Sequence, residues 1–206
     1  MNYKAILWDF GGVVTSSPFE AFNEYEGANG LPIDLIRTIN SENPDSNAWA
    51  KFESSRVSVD EFDELFFQEA LKKGFNVRGK DIIKLLSGSI RKNMVGFLKE
   101  LKVSYKLGCI TNTVNTKEDL TDKESQLKKE AMGLFDHVVE SSKVGIRKPN
   151  PEIYKMSCEA LSVEPKDCIY LDDLGINLKP ARELGMATIK VVDPEEAIQE
   201  VRNLLQ

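Results

Sequence analysis

Residues 4–14 constrain the fold more than any other part of the chain. They run KAILWDFGGVV, so a short, mostly apolar stretch ends abruptly at Asp9, and two glycines follow closely. Apolar residues without polar alternation are typical of a strand buried on both faces, as in a parallel sheet. A carboxylate directly after such a strand lies at the carboxyl edge of the sheet, where open α/β sheets bind ligands. Taken alone, Asp9 could equally cap a helix or begin a turn.

Beyond residue 88, short apolar segments alternate with amphipathic ones. Strands are predicted over YKLGCIT (105–111), HVVESS (137–142), CIYLDD (168–173) and ATIKVV (187–192), with helices between them, one of which begins at about Asp119. Strands that alternate with helices of this length indicate a parallel, doubly wound sheet with right-handed crossovers. We therefore predict an α/β fold, and the loop SKVGIRKPN (142–150) is expected to contain no helix.

The segment between residues 16 and 88 is helical and poor in strands. Its clearest helix lies within residues 58–73, where Ser58 and Glu61 form a capping box and Gly74 ends the helix. Two shorter helices are predicted before it, over residues 18–27 and 31–40, and a further one follows it, before Gly88. The sequence therefore predicts a core of residues 1–16 and 89–206, with residues 17–88 inserted as a small helical unit.

Composition excludes several classes of function. The 206 residues include 27 Lys and Arg against 33 Asp and Glu, a formal charge of −6 with both signs mixed, which argues against a nucleic-acid surface. No apolar run approaches the roughly 20 residues that span a membrane. The three cysteines lack metal-ligand spacing and are expected to be buried, reduced thiols of a cytoplasmic protein. With His137 as the only histidine, Ser-His-Asp catalysis and multi-histidine zinc sites are disfavoured.

Three predicted strands end in polar side chains, and parallel topology brings strand ends to one edge. The residues concerned are Asp9, Thr111, Asn112, Asp172 and Asp173, with Lys148 on a nearby loop. Clustered carboxylates raise one another's pKa unless cations compensate them. A Mg²⁺ ion and the Lys148 ammonium would do so, and Mg²⁺ is commonly held by carboxylates beside a substrate phosphate. Asp9 is then a plausible nucleophile toward phosphorus, with donors for phosphate oxygens at Thr111 and Lys148.

Four segments in this order resemble the motifs of the haloacid dehalogenase superfamily phosphohydrolases. They are WDFGGVV, CITNT, KPNPEIY and YLDDLGINLKPARELGM, and the last two also resemble the N-terminal phosphatase domains of soluble epoxide hydrolases and of certain acyl-CoA dehydrogenases. The resemblance implies a Rossmann-like core, with residues 17–88 as a cap that shelters the site and selects the substrate. It also implies Mg²⁺ as cofactor and a small phosphorylated metabolite as substrate.

The resemblance assigns a role to each matching residue. It implies a nucleophile at Asp9, phosphate contacts at Thr111 and Asn112, and a lysine at Lys148 that balances the anionic intermediate. It further implies metal ligation by Asp9, the Gly11 backbone carbonyl and Asp173, supported by Asp172 and Asn177.

One position departs from the family pattern. Most family phosphatases carry a second aspartate two residues after the nucleophile, as acid and base, and here that position is Gly11. Loss of such a group typically costs ~10²–10⁴-fold in rate, so weakened acid–base catalysis is expected. Glu20 and Glu53 are the candidate replacements, although the sequence places neither. A metal-independent 2-haloacid dehalogenase and a non-enzymatic phosphate- or metabolite-binding module remain as alternatives.

Overall fold

The computed structural model describes residues 3–86, 88–113 and 123–206, and its centre is a sheet of five parallel strands. The strands stand in the order β3-β2-β1-β4-β5. Their bounds are β1 Ala5–Trp8, β2 Lys106–Thr111, β3 His137–Glu140, β4 Cys168–Asp172 and β5 Ala187–Lys190. Strand β1 is central, and all five predicted strands are present. The α/β doubly wound fold predicted from the sequence is therefore confirmed.

Helices cover both faces of the sheet, and more of them lie in the inserted segment. Their bounds are α1 Pro18–Ala28, α2 Leu35–Ser41, α3 Ala48–Glu53, α4 Val59–Lys72, α5 Gly79–Lys84, α6 Lys92–Leu101, α7 Lys123–Met132, α8 Ser141–Val144, α9 Pro151–Ala160, α10 Gly175–Glu183 and α11 Pro194–Leu205. The expectation of no helix in the loop after β3 was wrong, because α8 forms there and ends at Gly145 in the left-handed region (φ 72°). The predicted start of α7 at Asp119 lies outside the described residues.

Strand β1 is buried on both faces, as its unbroken apolar sequence predicts. Ile6 and Trp8 belong to a hydrophobic cluster with residues of α6 and α11. Ala5 and Leu7 point to the opposite face and belong to a second cluster with residues of α9 and α10. All four side chains are fully buried. Since burial of one such side chain is worth roughly 1.5–3 kcal/mol, β1 fixes the position at which Asp9 leaves the sheet.

The inserted segment has a hydrophobic cluster of its own. We use the name cap segment for residues 17–88. The cluster is built from α1 to α5 and includes the stacked rings of Phe52 and Phe62, whose centroids are 4.4 Å apart. Its two connections to the core pair with each other, because Thr15 and Ile90 form an isolated antiparallel bridge. This bridge lies just outside both ends of the cap segment. The capping box of Ser58 and Glu61 at α4 is confirmed.

In the described part of the chain, no helix is both long and apolar enough to cross a bilayer.

Candidate active site

The register of the sheet places Asp9 between β2 and β4. Trp8 pairs with Cys109 of β2 and with Leu171 of β4, and the backbone N–H of Asp9 donates to the carbonyl of Leu171 at 2.8 Å. Asp9 thus lies at the carboxyl edge of the sheet, beside the ends of both neighbouring strands. Its side chain is buried, and Oδ1 accepts a hydrogen bond of 2.7 Å from the N–H of Phe10. This contact fixes one carboxylate oxygen of Asp9.

Lys148 joins Asp9 to the acidic end of β4. Its Nζ lies 2.8 Å from Oδ1 of Asp9 and 2.8 Å from Oδ2 of Asp172. The Lys148 side chain is only 1% exposed. Burial alone would lower its pKa, but the charges of Asp172 and Asp9 outweigh burial and raise the pKa above the ordinary value. Lys148 therefore stays protonated and acts as a buried counterion for two carboxylates.

Asp172 has donors on both carboxylate oxygens. Besides Lys148, Tyr170 donates its hydroxyl to Oδ2, the N–H of Leu174 donates to Oδ1 at 2.8 Å, and Asn177 Nδ2 lies 3.1 Å from Oδ1 and 3.2 Å from Oδ2. A carboxylate held this firmly is well suited to orient its neighbours. The geometry is consistent with the supporting role predicted for Asp172 and Asn177.

Asp173 packs directly against the loop that follows Asp9. A Cβ atom built on Gly12 would lie 2.2 Å from Oδ2 of Asp173, and Gly12 has φ +78°. Glycine is required there both for the left-handed backbone and for the close approach of the carboxylate. Burial and the charge of Asp172 raise the pKa of Asp173 to about 6. No lysine or arginine of the described residues lies within 4 Å of its carboxylate.

Three carboxylates converge at this edge, and Lys148 supplies the one ammonium group that pairs with them among the described residues. One oxygen each of Asp9, Asp172 and Asp173 lies within 4.8 Å of the other two. Burial and the charges of Asp172 and Asp173 raise the pKa of Asp9, against the opposing effect of Lys148. The site therefore has more negative charge than Lys148 can balance. Hard oxygen donors in this arrangement fit a divalent cation such as Mg²⁺, with Asp9, Asp173 and the Gly11 carbonyl as its predicted ligands.

The two predicted phosphate contacts differ in their surroundings. Thr111 is buried at the end of β2, and its hydroxyl makes no hydrogen bond with another residue of the described ranges. The Asn112 amide is already occupied. Its Oδ1 accepts from the backbone N–H of Lys148 at 2.8 Å, and its Nδ2 donates to the Lys148 carbonyl at 3.1 Å. The Thr111 hydroxyl is available to a ligand, whereas the side chain of Asn112 holds the lysine loop.

The sequence of residues 3–185 matches the profile of the haloacid dehalogenase-like hydrolases. The chain belongs to this family. The order of the strands that carry the motifs, and the burial of Lys148, agree with the family resemblance of the sequence. The chain is accordingly a hydrolase of the haloacid dehalogenase type.

Curated relatives of this hydrolase include larger proteins. It is 33% identical to acyl-CoA dehydrogenase family member 10 of Mus musculus, over 99% of this chain and 19% of the relative. It is 29% identical to bifunctional epoxide hydrolase 2 of Mus musculus, over 99% of this chain and 39% of the relative. The chain thus spans well under half the length of both. Glyceraldehyde 3-phosphate phosphatase of Methanocaldococcus jannaschii is 31% identical over 46% of this chain and 41% of its own length.

Solved structures share the fold at low sequence identity. A haloacid dehalogenase family enzyme from Bacteroides thetaiotaomicron, in complex with magnesium and inorganic phosphate, superposes with a TM-score of 0.60 at 22% identity, over 91% of this chain and 93% of that one. The L-2-haloacid dehalogenase of Xanthobacter autotrophicus gives a TM-score of 0.63 at 16% identity, over 98% and 83% of the two chains. The same fold therefore occurs in an enzyme that binds magnesium and inorganic phosphate and in a haloacid dehalogenase.

The structure also places Glu53, which sequence reasoning could not position. Glu53 ends α3, a helix that the hydrophobic pattern did not reveal, and its buried carboxylate lies beside Asn112 and Arg147. Asn47 caps this helix by accepting from the N–H of Ala50. Asparagine is a preferred N-cap residue, so Asn47 is the signal from which the start of α3 could have been predicted. Glu20, the other candidate, is exposed at the start of α1.

Proposed function

We propose that the chain is a Mg²⁺-dependent phosphatase that hydrolyses a small phosphomonoester through an aspartyl-phosphate on Asp9. The observation that carries this proposal is the convergence of three carboxylates, within 4.8 Å of one another, around the ammonium of Lys148. A site with this surplus of negative charge suits a bound divalent cation, and the cation together with Lys148 and Thr111 would then hold a phosphate. The names of its phosphatase relatives support the same class of substrate.

Asp9 is the proposed nucleophile because its carboxylate is oriented and buried. Oδ1 is held by Phe10 and Lys148, which directs the other oxygen, Oδ2, to bond with phosphorus while the bond to the leaving alkoxide breaks. Water then attacks the acyl phosphate, which releases inorganic phosphate and restores Asp9. Lys148 compensates charge during both steps, and the Thr111 hydroxyl donates to a phosphoryl oxygen.

Bound Mg²⁺ would neutralise phosphate charge and favour the ionised form of Asp9. Asp9, Asp173 and the Gly11 carbonyl are the proposed ligands, and Asp172 with Asn177 supports them. Because Gly11 offers no side chain, the leaving oxygen takes its proton from water. Substrates with good leaving groups, such as sugar 1-phosphates or acyl phosphates, should therefore be preferred. The cap segment is proposed to shelter the site and to select among such substrates.

The principal alternative is a 2-haloacid dehalogenase, which also uses an aspartate nucleophile and tolerates Gly11. A dehalogenase needs no cation, so the unpaired carboxylate of Asp173 beside Asp172 would remain uncompensated. The charge of the site thus favours the phosphatase.

A panel of phosphomonoesters, assayed with Mg²⁺ and with a chelator, tests the proposal. Wild-type protein should release phosphate only with Mg²⁺, and Asp9→Asn should abolish turnover. Asp167→Asn is the matched control, because Asp167 pairs with Lys4 just before β4, at the amino edge of the sheet. Chelator-insensitive halide release from chloroacetate would establish the dehalogenase instead. Mg²⁺-dependent phosphate binding without turnover of any substrate would identify a binding module.

A further inference from the structure

Two residues, the buried Glu53 and the half-buried Arg147, connect the cap segment with the loop that carries Lys148. Arg147 precedes Lys148, and its Nε lies 2.7 Å from Oε2 of Glu53. Arg147 also donates from Nη1 to the carbonyl of Pro44, at 2.7 Å. The side chains of Arg147 and Glu53 are only 22% and 9% exposed. A pair this shielded from water is much less weakened by solvent than a surface ion pair.

Both carboxylate oxygens of Glu53 have partners. Trp49 Nε1 donates to Oε1 at 2.8 Å, and Asn112 Nδ2 lies 3.3 Å from Oε2, the oxygen that faces Arg147. The backbone carbonyl of Glu53 accepts from Ser141 Oγ at 2.8 Å. The end of α3 is therefore attached to the core by its side chain and by its backbone.

Asn112 transmits this attachment to Lys148. Its Oδ1 accepts from the N–H of Lys148, and its Nδ2 donates to the carbonyl of the same residue, so one amide grips the backbone on both sides of the Lys148 Cα. Glu53 reinforces the orientation of the amide that the Lys148 backbone requires, because a carboxylate accepts only from the NH₂ end. A reversed Asn112 amide would place its oxygen against Glu53 and its NH₂ against the N–H of Lys148.

We propose that Glu53 is a positioning residue of the cap segment: acting through the Asn112 amide, it holds the backbone of Lys148 where the ammonium reaches Asp9. The contact of the cap segment with the core is thereby coupled to the geometry of the core site. The catalytic part of this inference rests on the proposed function. The structural part, the grip of Asn112 on Lys148, stands independently of the reaction.

The kinetic test is a double-mutant cycle with Glu53→Ala and Asn112→Ala. Loss of a residue that orients a metal ligand typically costs about 10–100-fold, and we expect each single variant here to lose a similar factor in kcat with little change in KM. Since both residues act along one path, the double variant should be no slower than the worse single variant. Glu53→Gln keeps an acceptor for Asn112 and should recover most of kcat. Additive losses, or a loss confined to KM, would overturn the proposal.

Hydrogen exchange at the Lys148 amide tests the structural part without any turnover. This N–H donates to Asn112 Oδ1, so Glu53→Ala and Asn112→Ala should both accelerate its exchange, while amides of β1 keep their wild-type protection. Glu24→Ala is the matched control, because Glu24 is an exposed carboxylate of α1. Wild-type protection of the Lys148 amide in Glu53→Ala would overturn the inference. If wild-type protein hydrolyses no phosphomonoester yet this acceleration is seen, only the proposed function fails.

The isosteric variant guards against misfolding. If Glu53→Ala does not fold, Glu53→Gln is compared with wild-type protein in a Trp8→Phe background, where Trp49 is the only tryptophan. Folded Glu53→Gln has a single acceptor oxygen, so with that oxygen on Asn112 it should keep slow exchange at Lys148, while loss of the bond from Trp49 changes the Trp49 emission. Fast exchange at Lys148 in folded Glu53→Gln would contradict the role of the Asn112 hydrogen bond.

Discussion

The Nζ atom of Lys148 lies 2.8 Å from Oδ1 of Asp9, and both side chains are almost completely withdrawn from water. The two residues belong to two different motifs of the four and are 139 residues apart in the sequence. Each partner lowers the free energy of the other's charged form, so neither can be removed without leaving a buried charge. The arrangement makes the pair both a structural and a chemical element of the site.

Lys148→Met should destabilise the metal-free protein at neutral pH. Removal of one partner from a buried ion pair typically costs about 3–5 kcal/mol, and here Asp9 and Asp172 both lose their cation. Urea unfolding of Lys148→Met and of Lys155→Met, an exposed lysine of α9, measures the difference. Adding Asp9→Asn to Lys148→Met should restore part of the lost stability, since Asp172 keeps other donors. A double variant less stable than Lys148→Met would contradict this account.

Adjacent glycines offer a matched pair of substitutions. Gly12→Ala should lower stability and Mg²⁺ affinity, because its Cβ would meet the Asp173 carboxylate at 2.2 Å and its φ of +78° disfavours alanine. Gly11→Ala should have little effect on folding, because a Cβ there meets no described atom within 4 Å. Thermal unfolding and calorimetric Mg²⁺ titration of the two variants provide the comparison. Equal losses in both would argue against the packing of Asp173 on Gly12.

The cap segment contains a pH-dependent contact between α4 and α5. Burial alone would raise the pKa of Asp63, but hydrogen bonds from Arg78 and from the N–H of Lys80 outweigh it and hold the pKa below its ordinary value. A carboxylate with a lowered folded-state pKa stabilises the fold above its unfolded pKa of about 3.9, and this contribution disappears as pH falls through the folded value.

Asp63→Asn should therefore cost about 1–3 kcal/mol at pH 7, with a deficit that shrinks toward zero below about pH 4. Urea unfolding of wild-type and variant protein across this range measures the deficit. Asp60→Asn is the control, because Asp60 pairs with Lys80 but is 85% exposed and should contribute little at any pH. A deficit in Asp63→Asn that does not change with pH would exclude the charge of Asp63 as its cause.

Most of the strands and helices of the core could be predicted from the sequence, because the residues that determine each of them are close together in the chain. An apolar strand that ends in a carboxylate, as at Asp9 and Asp172, identifies both the strand and the sheet edge on which its end must lie. The sequence also gave the helix boundaries at Ser58 and Gly74, where capping chemistry is explicit.

Contacts between the cap segment and the core could not be predicted in the same way. Glu53 and Asn112 are 59 residues apart, and no periodicity or spacing relates them. Helix α3 has only 6 residues, too few for a hydrophobic period to be distinguished from chance. From the sequence alone, Arg147 is expected to be an exposed surface residue. It is shielded from water only because α3 packs on the core beside it. Tertiary packing, rather than local propensity, determines these positions.

The absent acid–base group gives the sharpest test of chemistry. Gly11→Asp restores a carboxylate two residues after the nucleophile, at a position with room for a side chain. Turnover of simple alkyl phosphates should rise, since a general acid typically contributes ~10²–10⁴-fold. Substrates with good leaving groups should gain less, because their leaving oxygen needs no proton. Steady-state kinetics on an alkyl and an aryl phosphate, with Gly11→Asn as the uncharged control, measure this contrast. Equal or lower rates in a correctly folded Gly11→Asp variant would show that the missing aspartate does not limit the reaction.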